Sequence, residues 1–341
     1  MASIGIESAV IELLSKVGLG NADFRLKPLS ANGNNRVFTV HYDDRKMVLK
    51  WYFHDAADTR DRLGAEYSFL EHAWAMGLRC IPQPIDKTPS AHLALYEFVE
   101  GQKIDASQVD AALMQQAAQF LAQLNTQQSR AAASALPEAS ESCFSVSAHF
   151  EIIDARLARL GQMPIESDLD KTATEFVKRV KKFWQGTKAR LQIGCASLGL
   201  NLDAALSMGE RCLSPSDFGF NNALLRPDGS LCFIDFEYAG WDDPAKAIGE
   251  FFSHPGVAVP HAQFESFMAQ VLKPFDHAEQ MAARVRLLEP ISQIKWCCII
   301  LNEFLPVSAK RRNFANPSND AQARKELQLS KAIQLFKSLQ P

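Results

Sequence analysis

The sequence predicts an α+β chain in two lobes: a β-rich N-lobe with one main helix, and a larger, mostly helical C-lobe. Three observations predict it. Strand-like runs separated by polar turns fill residues 24–53 and recur at 83–99, around a single helical stretch. From about residue 107 onward, apolar residues recur largely at helical spacing. The chain of 341 residues is long for one small domain, and its 47% hydrophobic content can fill a large core.

Residues 5–17 read as a short amphipathic helix. The runs Phe24–Ser30, Arg36–Tyr42 and Lys46–Phe53 follow, separated by polar turns at 31–35 and 43–45, which is hairpin grammar. Helical periodicity over 57–76 places Leu63, Tyr67, Leu70 and Trp74 on one face, and Gly77 stands where a helix stop is expected. Strands near Gln83–Asp86 and Leu93–Val99 complete a small, mostly antiparallel lobe. A connector at 97–103 divides the expected N-lobe, residues 1–100, from the expected C-lobe, residues 101–341.

In the second lobe, helices are expected at 107–127, 147–161, 168–193, 244–254, 261–274, 278–305 and 319–338. Ala131–Ser142, rich in Ala, Ser and Glu, reads as a surface loop or insertion. The strand signals here are Ala223–Arg226 and Leu231–Phe236, hinged by Pro227-Asp228-Gly229. A cleft between two such lobes is where a ligand would sit.

Charge and cysteines narrow the function classes. A net charge of −3 gives no electrostatic case for nucleic acid or an anionic membrane as the main partner. The seven cysteines form no CxxC pair and no Cys/His ligand spacing, and several lie in apolar runs such as Leu231-Cys232-Phe233, as buried free thiols do. Glu7 precedes any long apolar stretch, unlike a signal peptide, and the seven uncharged residues between Lys295 and Glu303 are too few to span a bilayer. A cytoplasmic protein in a reducing compartment is expected.

The run Arg211–Trp241 holds the strongest chemical candidates. Asp217 is followed five residues later by Asn222, and a strand, a turn and a second strand then carry Asp235. Phosphoryl transfer needs an acid to orient the attacking hydroxyl, and an amide plus a second acid to hold metal ions on the phosphates. Taken singly, Asp217 and Asn222 also read as a turn cap and a turn amide. Asp235 shifts the balance, because a carboxylate at the end of the apolar strand 231–234 is costly unless paired or bound to a metal.

Lys50 ends the run Met47-Val48-Leu49-Lys50, and pointing inward it needs an anion: a phosphate, or Glu66 on the following helix, with Glu71 the runner-up. The turn Ser30–Asn35 offers backbone N–H groups of Gly33, Asn34 and Asn35 to phosphates, or is an ordinary hairpin turn. Asp243 reads as an N-cap with Pro244 at the first helical position. Glu237 and Asp242 are candidates to face a substrate. So are Lys295, Trp296 and Glu303, where a charge is either paired internally or lines a pocket, while Trp296 fits the core as well.

With these residues in place, the chain resembles the aminoglycoside phosphotransferase and choline kinase family, the small-molecule branch of the protein-kinase-like fold, over roughly residues 25–305. The resemblance rests on Ser216-Asp217-Phe218-Gly219-Phe220-Asn221-Asn222 and Phe233-Ile234-Asp235-Phe236-Glu237, supported by Asn34-Asn35-Arg36-Val37-Phe38 and Val48-Leu49-Lys50. It implies Asp217 as the catalytic acid, Asn222 and Asp235 as Mg²⁺ ligands, and Lys50 on the α/β-phosphates with Glu66 as its partner. The connector Tyr96–Gly101 would hold the adenine through backbone groups, among them those of Glu97 and Val99. The implied reaction uses ATP, or another nucleoside triphosphate, with Mg²⁺. Its acceptor would be a hydroxyl of a small molecule: a sugar, amino sugar, aminoglycoside or amino alcohol.

Two departures stand out. Pro215-Ser216-Asp217 replaces the family's usual His-Gly-Asp, whose histidine mainly braces the loop, and the phosphate loop is poor in glycine. The rival reading is a catalytically silent module of the same fold that binds nucleotide or a partner protein. Pro215 favours it, and the joint retention of Asp217, Asn222, Asp235 and Lys50 opposes it. Acidic Glu237, Asp242, Glu289 and Glu303 would suit a cationic acceptor, while Arg284, Arg286 and Lys295 would suit an anionic one.

Overall fold

Alternation along the strands builds the N-lobe. The computed structural model describes residues 2–19, 24–29, 35–55, 58, 60–306 and 320–339. Strands β1 (Phe24–Pro28), β2 (Arg36–Tyr42), β3 (Arg45–Trp51), β4 (Pro84–Thr88) and β5 (Leu93–Glu97) form one antiparallel sheet in the order β1-β2-β3-β5-β4. Side chains one apart on a strand face opposite ways. Met47, Leu49, Leu93 and Leu95 therefore bury with Val10, Leu13 and Leu14 of helix α1 (Ala2–Lys16). Val48, Ala94 and Tyr96 turn to the other face, against helix α2 (Arg62–Ala75), and that same parity carries Lys50 inward.

Helix α2 starts at Arg62 rather than at 57. The Asp61 carboxylate accepts from Gly64 N at 2.9 Å as its N-cap, and Asp55 and Asp58 form a separate bridge before it. It stops as expected at Gly77 (φ +84°), with Gly77 N donating to Trp74 O and Leu78 N to Ala73 O.

The C-lobe packs helices α3 (Ala111–Leu124), α4 (Gln127–Ala132), α5 (Val146–Leu160), α6 (Asp168–Ser197), α7 (Pro244–Ser253), α8 (Phe264–Leu272), α9 (Ala278–Ile300) and α10 (Ala321–Ser338). The stretch expected as one helix at 107–127 is a 3₁₀ turn followed by α3, because Asp110 caps a fresh helix by accepting from Leu113 N. Among the described residues, five short strands accompany the helices. β6 (Gln102–Lys103), β8 (Ala223–Leu225) and β9 (Leu231–Phe233) form one sheet, and β7 (Cys212–Ser214) pairs with β10 (Gly240–Asp242). Strands β6, β7 and β10 were not expected, since they have no adjoining turn like the Pro227-Asp228-Gly229 that marks the equally short β8 and β9.

The segment 131–142 is mostly exposed and irregular past α4, as expected of a surface loop, but it is docked at two points. Its first residues close α4, Ala133 and Ala139 are buried, and Ala139 N and Ser140 N donate to Trp241 O and Tyr238 O at 2.8 and 2.9 Å. Gly240 makes this docking feasible, because a Cβ there would lie 2.3 Å from Pro137 O. One hydrophobic core runs from Tyr52, Tyr67 and Tyr96 of the N-lobe through Phe120, Phe218 and Phe233 to Phe336. All seven cysteines are free, and all but Cys80 are buried. Among the described residues, no helix is long and apolar enough to cross a membrane.

Candidate active site

Strand β7 delivers the first acid. Past Ser214 the chain turns sharply: Ser216 takes φ +65°, its N–H bonds Ser214 Oγ at 3.0 Å, and Asp217 N bonds Pro215 O at 2.8 Å. Buried Phe218 and Phe220 on either side of Gly219 anchor the loop, Phe218 against Phe120, Phe233 and Phe251. Asn222 Nδ2 donates back to Asp217 O at 2.9 Å and to Asp217 Oδ2 at 3.3 Å, so acid and amide form one unit. Ile234 N donates to Asn222 O at 2.8 Å, which sets Asp235 (φ +68°) immediately beyond the amide.

Lys50 meets this loop from the N-lobe. Its ammonium bonds Glu66 Oε2 at 2.6 Å and also the Asp235 carboxylate, joining β3, α2 and the segment after β9. Glu66 is further fixed by Tyr52 Oη at 2.8 Å, and the two tyrosine hydroxyls of Tyr52 and Tyr96 lie 2.6 Å apart. Glu71, the alternative partner, instead lies exposed near Lys87 at 4.0 Å.

The electrostatics follow from three acids around one ammonium. Burial pulls the Lys50 pKa down, but Asp235, Glu66 and Glu237 outweigh it and hold the group well above its usual value. Burial pushes the Asp235 carboxyl up, and although Lys50 opposes this, Glu237 and Glu66 keep it at about 7. Burial also pushes Asp217 up, but the His254 hydrogen bond, with that of Asn222 and the charge of Lys295, outweighs it and lowers the group.

The remaining sequence candidates scatter. Asn35 uses its side chain inside the protein, donating to Glu237 and accepting from Phe53 N at 3.0 Å. Gly33 and Asn34 lie outside the described residues. Glu97 closes β5, exchanging bonds with Gln83 at 2.9 and 3.0 Å, and Val99 follows on the connector. Glu237 is buried between Asn35 and Arg62, whose Nε is 3.8 Å away. Asp242 is fully buried on Lys246, and Glu303 pairs with Arg324 at 2.9 Å, so both carboxylates are engaged internally. Lys295 bonds Glu250 at 2.5 Å and lies 3.4 Å from Glu141. Asp243 caps α7 as expected, accepting from Ala245 N at 2.7 Å.

Two engaged residues were missed, one of them beside Asp217. His254 Nε2 lies 3.1 Å from Asp217 Oδ1, and the Trp296 ring packs on that imidazole at 4.3 Å between centroids. Glu141 bonds Arg156 from a left-handed backbone (φ +55°). Neither carries a local sequence signal, because His254 is 37 residues from its partner and Glu141 is 15 from Arg156.

A divalent cation fits Asn222 and Asp235 chemically. Asn222 has its Nδ2 committed to Asp217, which leaves the carbonyl oxygen Oδ1 to offer, and Asp235 sits among acids short of positive charge. Among the described residues no group of three His, Cys, Asp or Glu side chains forms a self-sufficient cage. That suits Mg²⁺, which typically takes one or two carboxylates and completes its shell with water and phosphate oxygens.

A β-sheet lobe whose buried Lys–Glu pair meets an acid, an amide and a second acid on a helical lobe defines a small-molecule kinase of the protein-kinase-like fold. The match of residues 25–249 to the phosphotransferase enzyme family, APH, covers well over half of the chain, and the protein belongs to that family. Solved structures of the same fold include choline kinase LicA from Streptococcus pneumoniae (15% identity, TM-score 0.59, covering 98% of this chain and 99% of that one). Spectinomycin phosphotransferase APH(9)-Ia, solved with ADP and spectinomycin, is similar at 13% identity and TM-score 0.57, with 95% and 98% covered. Amicoumacin kinase hAmiN, solved with AMP-PNP and Ca²⁺, shares 12% identity at TM-score 0.59, with 100% and 95% covered. No curated protein matches the sequence.

Proposed function

We propose that the protein transfers the γ-phosphate of ATP, or another nucleoside triphosphate, to a hydroxyl of a small molecule in a Mg²⁺-dependent reaction. The observation that carries this reading is the meeting of Lys50, Glu66 and Asp235 beside the Asp217–Asn222 unit. Nucleotide in the related spectinomycin and amicoumacin kinases supports it.

In this reading Lys50, held by Glu66, contacts the α- and β-phosphates, and the connector around Glu97 and Val99 receives the base. Backbone N–H groups of Gly33, Asn34 and Asn35 are the donors to the phosphates. Asn222 and Asp235 hold Mg²⁺, which neutralises charge on the phosphate oxygens. Asp217 accepts a hydrogen bond from the acceptor hydroxyl and orients it for in-line attack. Its lowered pKa keeps it ionised at neutral pH, as that role requires. The acceptor is a sugar, amino sugar, aminoglycoside or amino alcohol. Residues 1–100 and 101–341 act as the two lobes, and the free thiols are consistent with a cytoplasmic setting.

The test screens ATP consumption against a panel of sugars, amino sugars, aminoglycosides, choline and nucleosides, alongside Asp217→Ala. Turnover should fall by about 10²–10⁴-fold in the variant, the usual worth of a positioned acid or base. Calorimetry should show Mg²⁺-dependent ATP binding retained. A variant as fast as wild type would remove Asp217 from the chemistry, and a protein that binds no nucleotide would fit the silent module instead.

A further inference from the structure

Pro215 has no N–H and no side-chain donor, so the residue two before Asp217 offers its carboxylate nothing. The donor arrives instead from the end of α7. The His254 side chain is only 7% exposed, with Nε2 3.1 Å from Asp217 Oδ1. Its neighbours fix the tautomer. Gly256 N–H donates to Nδ1 at 3.0 Å, so Nδ1 is the lone-pair nitrogen and Nε2 carries the proton that Asp217 accepts.

The pocket around the ring is built to its shape. Trp296 packs on one side at an interplanar angle of 65°. Two glycines let the backbone come close: a Cβ at Gly256 would lie 3.0 Å from His254 Nδ1 and Cε1, and one at Gly219 would lie 3.2 Å from Cγ. Gly219 belongs to the Asp217–Asn222 loop, so the imidazole is clamped by the loop it braces.

We propose that His254 is a positioning residue for phosphoryl transfer. Its fixed Nε2–H occupies Asp217 Oδ1 and sets the carboxylate plane, leaving Oδ2, which Asn222 approaches only at 3.3 Å, to receive the acceptor hydroxyl. The inference rests on the reading of Asp217 as the catalytic acid. A donor on one oxygen lowers the basicity of the carboxylate slightly, but it removes the reorganisation that a freely rotating acid would need.

The probe reaction is Mg·ATP hydrolysis, in which water takes the acceptor's place. His254→Leu keeps apolar contact with Trp296 but has no donor, and should lower kcat tenfold or more with the KM for ATP within about twofold. His254→Gln keeps an N–H donor and should recover most of the loss. Equal kcat in wild type and His254→Leu, or equal loss in the Leu and Gln variants, overturns the proposal. Imidazole ¹⁵N spectra of the wild-type protein give a test that needs no variant to fold: an Nε2–H tautomer is expected, and an Nδ1–H tautomer overturns it. Asp217→Asn separates the two readings. If it hydrolyses ATP like wild type, the role of Asp217 fails; if it is inactive while His254→Leu is not impaired, only the role of His254 fails.

Discussion

The two sides of the candidate cleft are wired differently. On the nucleotide side one ammonium, Lys50, answers Glu66 and Asp235 directly and feels Glu237 as well. Glu237 also has Arg62 3.8 Å away, so the excess of negative charge lies with Glu66 and Asp235, which share one lysine, and a bound cation would complete it. On the side that the proposed reading gives to the acceptor, the charges form a chain of alternating sign: Asp242, Lys246, Glu250, Lys295, Glu141, Arg156. It runs from β10 through α7 and α9 to the 131–142 segment and α5, with three acids answered by three bases. A closed chain asks for no ligand charge. Charged residues on this side therefore act as framework, and the acceptor's charge is not written in them.

Removing one link gives the strongest test of that contrast. In Lys295→Met, buried Glu250 keeps only Lys246, 3.8 Å away, and Glu141 keeps only Arg156. Leaving a buried charge without its partner typically costs about 3–5 kcal/mol. Glu141 is a third exposed and can recover part of this through water, so a loss of about 2–4 kcal/mol in chemical denaturation is expected. The KM for ATP should stay near wild type. A variant of unchanged stability with a raised KM for its acceptor would make Lys295 a substrate contact and break the comparison.

The nucleotide side was far more legible in the sequence than the acceptor side, and the reason is physical. Strand parity turns Lys50 inward, helix spacing brings Glu66 toward it, and one short hairpin places Asp235 beyond Asn222. These are local rules acting on neighbours in the chain. Lys295 and Glu303 looked equally suggestive as charges on apolar elements, but their partners are set by tertiary packing between α7, α9, α10 and the 131–142 segment, while Asp242 is answered locally by Lys246 four residues on. His254 is the extreme case, because only the close approach permitted by Gly219 and Gly256 brings it to Asp217. The short strands β6, β7 and β10 escaped for a related reason: they exist only as partners of other segments.

Acid should weaken the acceptor side next. Burial pushes the Asp243 carboxyl up, but Arg284 and His149 outweigh it and hold it at about 2; Lys295 and Arg156 likewise overcome burial to hold Glu141 at about 2. Both folded pKa values lie below the unfolded ones of about 4. Their stabilisation is thus fully present above pH ~4 and is lost as pH falls toward ~2. For Asp243, the drop from about 4 to about 2 corresponds to about 2–3 kcal/mol. Denaturant midpoints measured between pH 5 and 2.5 should fall, and Arg284→Leu should flatten that fall while lowering stability at neutral pH. A midpoint independent of pH across this window would mean that these buried carboxylates are not held by charge.

The smallest expected effect sharpens the nucleotide side. Glu66 and Glu71 share helix α2, but Glu66 is buried on Lys50 and Tyr52 while Glu71 is more than half exposed beside Lys87. An exposed ion pair at 4.0 Å is worth little in water, so Glu71→Gln should move stability by less than about 0.5 kcal/mol and leave turnover alone. Glu66→Gln keeps the shape and the Tyr52 contact but removes the charge that aims Lys50. Asp235 then becomes the ammonium's remaining direct anion, and Lys50 is drawn toward it and away from the phosphates. The KM for ATP should rise and ATP turnover should fall by roughly tenfold, the equivalent of about 1.4 kcal/mol. Equal behaviour of the two glutamine variants would show that the Lys50–Glu66 pair holds α2 against the sheet without setting the lysine for phosphate.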